Sequence, residues 1–383
     1  MHRFPRKDLF DLPNDLIYLN GNSLGPLPKS AAQRATQVVR EEWGQELIRA
    51  WNTAGWMALP QKLGDQIAPI IGAPLSSVAT GDTLSIKVYQ ALASALKMRP
   101  ERKVVLSDTG NFPTDLYMAQ GLLDLIDKGY ILKTVAPEEV QDAICEDVAA
   151  VLLTQVDYRT GRLHDMDLIT RQAHAAGSVV IWDLAHSAGA LPIEIEASRA
   201  EFAVGCTYKY LNGGPGAPAF IYVRPDIISD LRPALAGWLG HDAPFEMDLT
   251  YRPALSTERM RVGTPSVVQC AILDEALKIW EGVDMAQLRE ASIALSTRFV
   301  ERVEAACPML ALASPRDPNA RGSQVSFAFE QGYAAMQALI ARGVIGDFRA
   351  PNLMRFGFTP LTLDESDIER ATEILTDVMN REI

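Results

Sequence analysis

VVIWDLAHSAG (179–189), followed by FAVGCTYKYLNGGPG (202–216), is the stretch that decides the fold. VVIW is a short apolar run ending on an acid, and FAVG is a second, ending just before Cys206, Thr207, Tyr208 and Lys209. Apolar runs of this length between turn signals read as strands buried on both faces. Moving outward, KVVLS (103–107), AAVLL (149–153) and AFIYV (219–223) repeat the pattern. Helical spacing fills the gaps: 85–96, with Ile86, Tyr89, Leu92 and Ala93 on one face, then 112–126 and 166–176. Two earlier helices are expected at 30–43, after LGPLP, and at 56–71, ending at Gly72. Strands alternating with helices predict an α/β fold, a mainly parallel central sheet flanked by helices.

From about Ser266 the pattern changes. Helices are expected over 267–280 and 285–306, a strand at 325–329, a helix near 334–341, a strand near 353–356 and a last helix near 366–379. This reads as a smaller α+β C-terminal domain (266–383) beside a large α/β domain (51–265), with residues 1–50 packing against the small one.

The chain has 383 residues, 48% hydrophobic and 22% charged, enough for a substantial core. With 36 Lys and Arg against 48 Asp and Glu, its net charge is −12. Such a chain repels nucleic acid and anionic membrane surfaces, so any anionic ligand must be held by a local pocket. Cys145, Cys206, Cys270 and Cys307 form no CxxC or CxxH pattern, so neither a disulfide framework nor a zinc site is expected. The N-terminus lacks an apolar secretory run, and no stretch of about 18 apolar residues occurs. A cytoplasmic location, with no membrane partner and no metal, is the expectation.

Ligands of parallel α/β sheets bind beyond the carboxyl ends of the strands. Asp183 and Lys209 stand at two such ends and can share a pocket. Taken singly, an Asp after a strand is a cap or turn residue, and a Lys before Tyr-Leu-Asn-Gly-Gly is a solvated loop residue. Together they match what a carbonyl cofactor with a pyridine ring requires. Lysine is the side chain that forms an imine with an aldehyde, and a carboxylate keeps a pyridine nitrogen protonated, and so an electron sink. The GDT turn (81–83) opening into Leu84 and Ser85 offers backbone N–H groups and hydroxyls for a phosphate. The cofactor indicated is pyridoxal 5′-phosphate, with Lys209 as its Schiff-base residue.

These motifs, with NGNSLGPLP (20–28), resemble fold-type I pyridoxal enzymes of the aminotransferase class V group. Within that group the chain resembles the kynureninases, through GNSLG (21–25), WNTAGW (51–56), LSIKVY (84–89), NFPTD (111–115), DLAH (183–186), YKYLNGGPG (208–216), GWLGH (237–241) and RVGTPS (261–266). The resemblance implies hydrolysis of L-kynurenine, or its 3-hydroxy form, to anthranilate or 3-hydroxyanthranilate and L-alanine, in tryptophan catabolism or NAD biosynthesis.

It also implies roles. Asp183 pairs with the pyridinium nitrogen, His186 sits near the ring hydroxyl, and Phe112 stacks on the ring with Asp115 supporting that wall. Leu84, Ser85, Thr154 and Tyr208 line the phosphate and ring sites, and Tyr208 is a candidate proton relay. Trp238 and Thr264 reach the phosphate from a neighbouring subunit, implying a homodimer. Arg355 clamps the substrate carboxylate, and Ser23 and Trp51 touch the substrate. Some kynureninases carry an amide where this chain has Thr264, so the preference between kynurenine and its 3-hydroxy form stays open. The alternatives are a cysteine desulfurase, for which Cys307 is the cysteine considered, an aminotransferase or epimerase of the same fold, and a relative that kept the fold without the chemistry. Trp56 is read as core, and His2, His164 and His174 are given no role.

Overall fold

The computed structural model describes residues 4–381, so His2 lies outside the described residues. In chain order its strands are β1 (Ile17–Tyr18), β2 (Val78–Thr80), β3 (Val104–Asp108), β4 (Ile131–Val135), β5 (Val148–Thr154), β6 (Val179–Asp183), β7 (Phe202–Gly205), β8 (Phe220–Val223), β9 (Ala311–Leu312), β10 (Gln324–Ala328), β11 (Val344–Ile345), β12 (Asp347–Arg349) and β13 (Leu353–Gly357). Seven of these form one sheet in the order β2-β8-β7-β6-β5-β3-β4. Its pairs from β7 across to β4 are parallel, while β8 runs antiparallel to both its neighbours. The mainly parallel sheet expected from the sequence is therefore present.

Side-chain alternation distributes the strands between two faces. Val180 and Trp182 of β6, with Val151 and Leu153 of β5, enter a core shared with helices Leu59–Ile67, Met166–Ala175 and Val267–Leu277. Val179, Ile181, Ala150 and Leu152 enter the opposite core, under helices Leu84–Met98 and Pro113–Ile126. Burial on both faces explains why these strands read as continuous apolar runs. Neither β4 nor β2 was read from the sequence. Strand β4 (ILKTV) is the sheet edge, where its side chains are exposed or half-buried, and β2 is only three residues long. The first helix also differs from expectation: regular winding over Lys29–Gln37 gives way to wide turns over Val38–Glu46, ending at Leu47 with φ 55°.

A second, antiparallel sheet in the order β12-β13-β10-β9 packs with helices Met285–Ala306, Gly332–Ala341 and Glu365–Arg381. Ile17 and Leu19 join this core, and β1 pairs in parallel with β11. The second layer rests against the carboxyl-end loops of the first. The Tyr210 hydroxyl donates to the Ser323 carbonyl at 3.3 Å, and the Ser323 hydroxyl donates to the Ala190 carbonyl at 2.8 Å. The register within the large sheet places Thr154 beside Asp183, and Asp183 beside Val204, so β5, β6 and β7 end close to level with one another.

Candidate active site

Lys209 lies in the loop that turns the chain from β7 back into antiparallel β8. That loop is braced from within. The Thr207 hydroxyl donates to the Pro218 carbonyl at 2.7 Å, and the Gly213 N–H to the Thr207 carbonyl at 2.8 Å. Asn212 takes φ 60°, a left-handed conformation that Asn tolerates. From outside, the GNSLG segment presses on it: the Gly25 N–H donates to the Tyr208 carbonyl at 2.8 Å. A Cβ on Gly25 would lie 2.2 Å from the Lys209 carbonyl oxygen, so this close approach requires glycine. The half-buried Lys209 then places Nζ 2.8 Å from His186 Nε2.

Asp183 is buried at the end of β6, with Oδ1 accepting the Ala185 N–H at 2.8 Å. Burial pushes its carboxyl up to about 6, against the pull of Lys209, the Ala185 N–H and the Thr154 hydroxyl. Asp115 is also buried and stands well above the usual carboxylate range, through burial first and then the charge of Asp183. Its Oδ2 atom has no hydrogen-bond partner. Two buried carboxyls and one orphaned oxygen beside a lysine make a site that a cationic N–H group would complete. A protonated pyridine nitrogen is such a group. Phe112, at the start of the same helix as Asp115, is 40% exposed and meets the Tyr158 ring edge-on at 5.1 Å. It therefore presents aromatic surface that a flat ring can cover. The Tyr208 hydroxyl is raised by burial, and the Lys209 ammonium lies 5.8 Å from its ring centre.

Leu84 and Ser85 form the first turn of helix Leu84–Met98, whose N-cap Thr83 makes no side-chain cap. The uncapped end leaves N–H groups for an anion. Gly81, Asp82 and Thr83 line a cavity of about 270 Å³ together with Arg261, Gly263 and Thr264. Thr264 and Trp238 are exposed, and Trp238 meets Phe245 edge-on at 5.9 Å.

Arg355, on β13, is 1% exposed rather than a surface residue at a strand edge. Its Nε donates to Asp347 Oδ1 at 2.8 Å, and one terminal nitrogen donates to Asp347 Oδ2 at 2.6 Å and to Ser23 Oγ at 2.7 Å. The other terminal nitrogen donates to the Tyr158 carbonyl. Arg349 shares the same carboxylate at 3.0 Å. Ser23 is thus brought to the arginine. The ring contact of Trp51 is with buried Trp56, at 5.5 Å, rather than with the Phe112–Tyr158 pair.

Sequence reasoning missed Tyr158, Gln324, Asp347 and Arg349. Gln324 left one signal, an amide opening the apolar run VSFAF (325–329). It is fully buried and accepts from His186 Nδ1 at 3.0 Å. His164, given no role, forms a buried pair with Asp108 at 2.5 Å. Among the described residues no group of His, Cys, Asp and Glu is arranged to hold a metal ion, and no helix is long and apolar enough to cross a membrane.

A family model described as "Kynureninase C-terminal domain" matches residues 288–375. Kynureninase from Pseudomonas fluorescens is 46% identical over 384 residues, covering 98% of this chain and 92% of the relative. Kynureninase from Burkholderia mallei (strain SAVP1) is also 46% identical, covering 99% of this chain and 92% of the relative. The chain belongs to the kynureninase family. Solved structures show the same fold at lower identity. An apo cysteine desulfurase from Thermococcus onnurineus NA1 aligns with TM-score 0.84 and 16% identity over 99% of both chains. A C-DES mutant with glycine covalently linked to its PLP cofactor aligns with TM-score 0.84 and 19% identity, over 97% of this chain and 99% of that one.

Against that shared fold, this kynureninase-family chain lacks the desulfurase's requirement in the cysteine considered for it. Cys307 is fully buried in the second core, its thiol pushed up by burial, and it contacts the Thr376 hydroxyl. A buried thiol with a raised pKa is a poor nucleophile.

Proposed function

We propose that the chain is a pyridoxal 5′-phosphate-dependent hydrolase that cleaves the Cβ–Cγ bond of L-kynurenine, giving anthranilate and L-alanine. The observation that carries this is 46% identity to kynureninases along nearly the whole chain, with Lys209, Asp183 and Asp115 near enough to act on one another's charge. When bound, pyridoxal phosphate supplies an electron sink for charge released at the substrate's α-carbon.

The chain's own residues do the rest. Lys209 would hold the cofactor by its aldehyde, and its amine, once free, would be the base for the proton on the substrate's α-carbon. Asp183 would keep the pyridine nitrogen protonated, with Asp115 adding to the negative field there, and Phe112, Thr154 and His186 would hold the ring. Leu84 and Ser85 present N–H and hydroxyl donors to the phosphate. Arg355, already aligned by Asp347, pairs with the substrate carboxylate, with Ser23 beside it. Tyr208 is placed to relay a proton next to Lys209, and Trp51 contributes apolar surface at the substrate end.

The large domain (51–265), with helix Val267–Leu277 packed into its core, holds the cofactor, and the antiparallel layer, with Ile17 and Leu19 of the N-terminal segment, closes the substrate side. The site is completed in a homodimer by Trp238 of the partner subunit and Thr264 of the partner subunit. Phe245, Met247, Leu249 and Leu255 are all exposed on the segment carrying Trp238, an apolar stretch that a partner would cover. The enzyme acts in the cytoplasm, in tryptophan catabolism.

Purified protein mixed with pyridoxal phosphate and L-kynurenine should produce fluorescent anthranilate and alanine in equal amounts. Sulfide from L-cysteine without anthranilate would overturn the reading and restore the desulfurase.

A further inference from the structure

Gln324 enters the site from β10, the central strand of the second layer, and its hydrogen bonds leave it one orientation. Its amide nitrogen donates to two backbone carbonyls, Asp157 and Tyr158, both at 3.0 Å. A carbonyl only accepts, so the amide cannot be flipped. Its Oε1 must therefore face His186 Nδ1, at 3.0 Å, and accept a proton from it. Asn22 Nδ2 approaches the same oxygen at 3.4 Å as a second donor. The imidazole is buried, and the cations Lys209, Arg355 and Arg349, the two arginines paired with Asp347, oppose a second proton on it. With one proton, fixed on Nδ1, the ring turns a bare Nε2 lone pair toward Lys209 Nζ, 2.8 Å away.

We propose that Gln324 is a positioning residue that fixes the Nδ1–H tautomer of His186 and, through it, the direction of the Lys209 amine. This inference rests on the reading of Lys209 as the cofactor lysine. The opposite tautomer would set a bare nitrogen against the Gln324 carbonyl oxygen, two acceptors face to face, and lose that bond. The placement also ties the lysine to the substrate clamp. On the β10–β13 ladder Gln324 opposes Gly357, and Ser326 opposes Arg355. The strand pair that presents the carboxylate-binding arginine thus also sets the lysine's partner.

The test is ¹⁵N NMR of the histidine ring nitrogens in the full-length protein, with and without pyridoxal phosphate, with the His186 signal identified by its loss in His186→Asn. In the cofactor-free native protein, His186 should carry its single proton on Nδ1. Gln324→Leu should abolish that preference and lower kcat by about tenfold or more, the loss expected of one buried hydrogen bond, with KM for L-kynurenine changed less than about twofold. Gln324→Glu keeps an acceptor toward His186 while losing the two donations to the Asp157 and Tyr158 carbonyls. It should retain Nδ1–H and hold a second ring proton to higher pH than native. If Gln324→Leu fails to fold, the glutamate variant decides alone. An unchanged His186 signal in a folded Gln324→Leu, or unchanged protonation in Gln324→Glu, overturns the proposal. Failure of the functional reading shows separately, as native protein with an Nδ1–H His186 but no lysine-linked cofactor absorbance.

Discussion

The two sides of the pocket are built on opposite plans. The carboxyl end of the parallel sheet is left incomplete: Asp115 Oδ2 has no partner, Asp183 is buried with its carboxyl raised to about 6, and Phe112 is 40% exposed. On the antiparallel layer the working side chains are largely bonded already: Arg355 has Asp347, Ser23 and the Tyr158 carbonyl, and Gln324 has four partners. Buried polar groups without partners are costly, and a protein keeps them where a ligand will satisfy them. The first side is therefore shaped around the cofactor, and the second holds its arginine rigid before substrate arrives.

Substitutions on the two sides should fail differently. Lys209→Ala, on the incomplete side, should abolish turnover and the absorbance of lysine-linked cofactor, while the circular dichroism spectrum stays native. Retained turnover would break the contrast at its base. Asp183→Asn should lower kcat by roughly 10²- to 10⁴-fold, because the ring nitrogen loses the carboxylate that keeps it protonated. A variant that changed only melting temperature would make Asp183 structural. On the antiparallel side, Arg355→Lys loses the planar fork and should raise KM for L-kynurenine by about tenfold or more, with cofactor absorbance unchanged. Loss of cofactor in that variant would erase the distinction between the sides.

The raised carboxyl of Asp183 gives a thermal test in the cofactor-free protein. Its folded value of about 6 lies above the ordinary 3.8. The fold therefore favours the protonated form, and this contribution is complete below the ordinary value and lost as pH rises through about 6. Relative to Asp183→Asn, native protein should lose roughly 2–3 kcal/mol between pH 4 and 7. A pH-independent difference would place Asp183 in a solvated setting. The smallest effect is expected from Trp238→Ala, a few-fold weaker cofactor binding with a greater fraction of monomer by light scattering. Unchanged values would remove Trp238 from the phosphate site.

The same contrast explains what was legible in the sequence. Asp183, His186 and Lys209 follow doubly buried strands, and an apolar run ending in a polar motif marks both the strand and its functional end. The mainly parallel sheet was readable for that reason. Edge strand β4 was not, because its exposed side chains leave no apolar run. Gln324, Asp347 and Tyr158 act through partners more than a hundred residues away or across an antiparallel ladder, and nothing local in RGSQVSF or GDFRAP announces those partners. Arg355 was singled out by resemblance, but its burial and its bond to Asp347 follow only from the register of β12 against β13.

The most direct test of the incomplete side is reductive trapping. The protein is loaded with pyridoxal phosphate, reduced with borohydride, digested and mapped by mass spectrometry. The cofactor should be found on Lys209, in the peptide containing CTYKYLNGG. A label on another lysine, such as the buried Lys87, or none at all, would contradict the assignment of this pocket.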